Sequence, residues 1–173
     1  MRTPTPGDDL HTYEPDDLDD MTTLDAVDAV AADIRDHRIT VDGAGLFNVT
    51  RHIDLLCHLT ARMAADAEYE LAPNIASLPP AKNLGASVGH LGQAVAHYSQ
   101  ALAPLITLTT TSRDTLQHKL DAFGHHSSVR IHLDSGSRAL AAARTALETQ
   151  QPPAAAGAPT PALRQAPTVR RRT

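Results

Sequence analysis

Leu84, Val88, Leu91, Val95, Tyr98, Leu102 and Leu105 follow one another at alternating steps of four and three residues. That heptad spacing puts one apolar seam along a helix, and the seam must be covered by another helix, so the segment commits the chain to helix-on-helix packing. Strands have little to draw on, because Trp is absent and aromatic residues make up only 3% of the chain. Alanine, the best helix former, is the commonest residue, which pushes the same way.

Helical periodicity extends on both sides of the seam. Thr22 and Asp25 can cap a first helix, whose apolar face is Leu24, Val27, Val30, Ala31 and Ile34 and which should stop at Gly43. A second helix is expected from about Gly45 to Glu70, with Leu46, Val49, Ile53, Leu56, Met63 and Ala67 on one stripe and Leu55 and Leu59 widening it. Pro73, Pro79 and Pro80 force a connection into the third helix, and Pro104 should end or kink it.

Beyond a possible cap at Thr111 and Asp114, Leu116, Leu120 and Phe123 stop at Gly124, and Val129, Leu133, Gly136, Leu140, Ala143 and Leu147 resume out of phase. The Gly124–Ser128 stretch therefore reads as a break or a kink. The expected fold is all-α, an antiparallel bundle of four helices, or five if the break is real.

Charge divides the 173 residues into three zones. Residues 1–42 hold 12 acids and 3 bases, residues 43–148 hold 8 of each, and residues 149–173 hold four arginines and no acid. The acidic head, residues 1–21, has too little apolar surface to offset ordering entropy, and the Pro/Ala/Arg-rich tail, residues 151–173, reads as an extended tether. The bundle is thus expected over 22–150, between two disordered ends of opposite charge that could attract each other.

Candidate chemistry centres on ten histidines. His118, His125 and His132 recur every seven residues, and His118, Asp121 and His125 share a face of an unbroken helix, where imidazole and carboxylate could hold a divalent cation. The competing expectation is surface histidines, also for His90 and His97, which flank the seam. No di-iron Glu/His pattern, Walker loop, nucleophile elbow or dinucleotide fingerprint is present, so no cofactor is expected. Cys57, set in an apolar run, is expected to be a buried structural thiol, and adjacent His58 points away from it on a helix. The single Cys and the lack of a membrane-length apolar run fit a cytoplasmic protein.

These exclusions leave a non-catalytic interaction or assembly protein as the leading functional reading. Its expected face is the third helix, Leu84, Gly85, Val88, Leu91, Gly92, Val95, Tyr98 and Leu102, with the glycines permitting close contact to another copy or to a different protein in a heteromeric assembly. A metal- or small-ligand-binding bundle using the His118–His132 region is the alternative. A third reading, weak nucleic-acid binding through Arg164, Arg170, Arg171 and Arg172, is disfavoured by the neutral body and the scarcity of stacking aromatics.

Overall fold

The computed structural model describes residues 11–70, 81–111 and 115–148. Within them lie five α-helices and no strand: α1 (Pro15–Asp19), α2 (Thr23–Asp36), α3 (Gly43–Glu70), α4 (Ala81–Thr110) and α5 (Leu116–Glu148). The all-α bundle expected from the sequence is the observed fold. The prolines between α3 and α4, Asp114, and the tail arginines all fall outside the described residues.

Local chemistry starts each helix. The Thr22 hydroxyl accepts from the Asp25 amide to cap α2, which ends at Asp36 rather than at Gly43. The Asp42 carboxylate accepts from the Gly45 amide at 2.8 Å and from the Thr40 hydroxyl at 2.7 Å, and those bonds hold it below the usual carboxylate range. This turn explains Gly45, because a Cβ there would meet the Thr40 carbonyl oxygen at 1.7 Å. At α5, the Thr115 hydroxyl caps the His118 amide at 3.2 Å, one turn later than the Thr111 cap expected.

Side-chain pairs set the antiparallel order of α4 and α5. Asn83 donates to the Ala146 carbonyl at 3.0 Å, Ser87 to the Ala143 carbonyl at 2.5 Å, and the Tyr98 hydroxyl lies 3.4 Å from that of Ser137. On the other side of α4, the Tyr98 ring meets buried His52 of α3 edge to face, with centroids 5.9 Å apart. The shorter α2 lies along the carboxyl-terminal half of α5, tied by Asp28 and Arg144. Leu18, Val27, Val30, Leu55, Leu56, Leu59, Met63, Leu84, Leu91 and Leu105 are completely buried in the common core.

Three sequence expectations change. Residues 11–21, assigned to a disordered head, carry α1, whose Leu18 is wholly buried. Arg62 of α3 donates to the Leu18 and Met21 carbonyls at the end of this short helix, adding to the backbone bond that the Leu18 carbonyl accepts from the Met21 amide, and His58 pairs with Asp19 at 2.8 Å. Pro104 does not end α4, which continues to Thr110 because Leu105 and Leu108 beyond it are buried and packing outweighs one missing amide. Gly124 does not break α5 either. The inward set there is Ala122, Val129, Gly136 and Ala143, one heptad apart, so the phase jump arises because Leu116, Leu120 and Phe123 point elsewhere.

Candidate functional site

Antiparallel packing of α4 on α5 places four of the histidines along the contact between these two helices. At the end where α4 finishes, His118, Asp121 and His125 of α5 line a small cavity of 110 Å³ with Thr107 of α4 and Thr111 just past its end. The three candidate ligands do share a wall, as an unbroken helix requires. Asp121 already accepts from Gln117 at 2.9 Å, however, and among the described residues no group of three or more His, Cys, Asp or Glu side chains is placed to hold a metal ion.

One heptad further along, His132 meets His97 of α4, with ring centroids 6.0 Å apart and planes inclined at 35°. Both rings are half-buried, and the Nδ1 atom of each is buried without a hydrogen-bond partner. Their approach depends on Gly136, one turn beyond His132. A Cβ at that position would meet the Tyr98 ring at 2.6 Å and the His97 Cβ at 3.5 Å. Gly136, not Gly85 or Gly92, is the glycine that brings two backbones together within the chain.

A second polar cluster, at the α2–α3 contact, was not singled out by sequence reasoning. Asp33 is wholly buried. Its Oδ2 accepts from Arg51 at 2.7 Å and lies 3.3 Å from His52 Nε2, while its Oδ1 accepts from the Tyr13 amide at 3.3 Å and lies 3.3 Å from His37 Nδ1. Burial lowers the His52 pKa to about 4 even though the Asp33 charge pulls the other way, so this imidazole is neutral at pH 7. Burial also raises the Tyr98 phenol above its usual value. Asp33 follows Val30 at the i+3 position, and a carboxylate inside an apolar stripe was the available signal.

The proposed third-helix face divides in two. Leu84, Leu91 and Tyr98 are buried in the chain's own core, and Val88, Val95 and Leu102 pack partly against it. Gly85, Gly89 and Gly92 face outward, where an added Cβ would meet nothing within 4 Å. Ala96, Ser99 and Ala103 continue this exposed row at the same alternating spacing. Cys57 is exposed, correcting the expected buried thiol: the buried positions of α3 fall at Val49, His52, Leu55, Leu56, Leu59 and Met63, and residue 57 lies between them on the outer side.

Most of the exposed large apolar side chains lie on α5, with Phe47 of α3 and Ile106 of α4 apart from them. On the α2 side of α5, Asp134, Ser137, Ala141 and Arg144 stand opposite Val27, Ala31, Ile34 and Arg38. Counting back by sevens, Arg144 and Ser137 lead to Phe123 and Leu116, and Ala141 and Asp134 lead to Leu120. Those three side chains are 74%, 76% and 61% exposed. They occupy the heptad positions that α2 flanks further down, beyond the point where α2 ends, and span roughly 10 Å at 1.5 Å per residue. Compared with known proteins, the chain matches no family model, and neither a curated protein nor a solved structure is similar to it.

Proposed function

We propose that this chain is a non-catalytic helical assembly protein that pairs with a second copy through the amino-terminal half of α5. The observation that carries the reading is the exposed row Leu116, Leu120 and Phe123 on the heptad positions that α2 flanks lower down. A bundle that supplies a fourth helix over only half its length leaves a helix-shaped apolar seat on the other half.

The occupant favoured here is α5 of another copy. Packed antiparallel about a two-fold axis, one row meets the same row of its partner, with Ile131, itself 59% exposed, at the margin. The original seam of α4 is mostly used inside the chain, which moves the proposed contact to α5 and leaves Gly85 and Gly92 as a comparison surface. Cytoplasmic placement remains part of the reading on the strength of the single thiol. Among the described residues no helix is long and apolar enough to cross a membrane.

Light scattering coupled to size exclusion, run on the full chain over a range of micromolar concentrations, tests this. A dimer is expected for the natural sequence, and a monomer of unchanged helix content for the double variant Leu120→Glu/Phe123→Glu. A strictly monomeric natural chain overturns the proposal. So does a dimer that survives this variant but is lost on Gly89→Lys, which would place the contact on α4.

The cavity beside His118, Asp121 and His125 favours a second reading, a small polar ligand held by the bundle. Line broadening confined to these imidazoles during ligand screening by NMR would support it, and uniform indifference would remove it.

A further inference from the structure

We infer that His97 and His132 form a two-histidine site for a late first-row divalent cation, of the copper(II), nickel(II) or zinc(II) class, bridging α4 and α5. Three observations meet at this place. The rings come from different helices and lie 6.0 Å apart between centroids. Two imidazoles sharing one cation, with metal–nitrogen bonds of about 2.0–2.1 Å, hold their ring centres roughly 5–6 Å apart. The observed spacing lies at the upper end of that range.

The second observation is chemical. Both Nδ1 atoms are buried and neither has a hydrogen-bond partner. Buried polar atoms are almost always partnered, so two orphaned nitrogens on neighbouring rings call for a shared ligand. Neutral imidazole is a preferred donor to copper, nickel and zinc, and a Lewis-acidic ion meets both lone pairs at once. With only two protein ligands the remaining positions fall to solvent, which the half-buried rings admit once they turn their Nδ1 atoms outward.

The third observation is positional. Gly136 sets the approach of the two helices, since a side chain there would press on the Tyr98 ring and reach the His97 Cβ. The site is separate from the cavity around His118, Asp121 and His125, and separate from the exposed α5 row, so it stands or falls independently of self-association. A bound ion would act as a clasp across the middle of the α4–α5 hairpin.

Copper(II) and zinc(II) added to tag-free, full-length protein at pH 7.5 provide the test. Expected are one tight copper(II) per chain, an electron paramagnetic resonance pattern of two equivalent imidazole nitrogens, and a melting temperature raised by zinc(II). His97→Asn and His132→Asn should each weaken copper(II) binding at least tenfold, whereas His118→Asn/His125→Asn should leave it within twofold. Should either single variant fold poorly, the natural chain still decides: copper(II) at substoichiometric amounts should broaden the His97 and His132 ring signals first. Broadening that begins at other histidines, or unchanged binding in a well-folded His97→Asn, overturns the site.

Discussion

The Asp33 carboxylate, wholly buried on α2, accepts a hydrogen bond from the Arg51 guanidinium of α3 across 2.7 Å. The same pair anchors the entering chain, because the Tyr13 amide donates to the other carboxylate oxygen. A charge removed from water this completely is tolerated only with its partner in place.

Asp33→Ala should therefore destabilise the fold by about 3–5 kcal/mol, since it strands the Arg51 charge among buried groups. The double change Asp33→Leu/Arg51→Met should cost much less than the sum of the two single ones. Urea denaturation of the natural chain, Asp33→Leu, Arg51→Met and the double variant measures this; additivity of the single effects would mean that the pair is not coupled.

Acid should weaken the fold through His52. Its folded-state pKa of about 4 lies below the ordinary 6.5, first because of burial and despite the attraction of Asp33. The unfolded chain then binds the proton more readily, so this contribution is complete above pH 6.5 and is lost as pH falls toward 4. The loss is on the order of 3 kcal/mol over that window. His52→Gln should flatten the fall in stability between pH 6.5 and 4. A slope equal to that of the natural chain would show that His52 is not its source.

Glycines separate by what surrounds them. Gly136→Ala should destabilise by about 1–3 kcal/mol because the new methyl meets the packed Tyr98 ring. Gly45→Ala should also destabilise, since it strikes the Thr40 backbone. By contrast, Gly85→Ala, Gly89→Ala and Gly92→Ala, on an open helix face, should each raise stability by about 0.5–1 kcal/mol. Thermal melts of the five variants check the two opposite signs.

Arg144 bridges Asp28 of α2 and Glu148 of its own helix, and these partners raise its already high pKa. All three side chains are well exposed to water. Arg144→Ala should lower the melting temperature only slightly, and the difference should shrink further in 0.5 M salt. A large, salt-insensitive loss would show that this bridge carries the docking of α2.

Periodicity was a good guide wherever one face of a helix did all the burying. The α4 seam and the α3 stripe of Val49, Leu56 and Met63 were both legible that way, as was the helical class. It misled on α5, where two apolar rows share one helix. Leu116, Leu120 and Phe123 were counted with the core row, which created an apparent break at Gly124 that the continuous helix does not have. Leu18 was overlooked because a single apolar residue among acids carries no period, although the Arg62 side chain completes its short helix.

The amino-acid order alone determined that the chain is helical, where α3 and α4 carry their apolar stripes, and that His118, Asp121 and His125 share a side of one helix. Those are properties of neighbours within a few turns, and the helical repeat fixes them. Which seam is spent inside the chain, that Asp33 meets Arg51, and that His97 faces His132 were decided by the tertiary structure. Each depends on the register of two helices, set by a few contacts such as Gly136 against Tyr98, between segments whose separation in sequence bears no trace of their meeting.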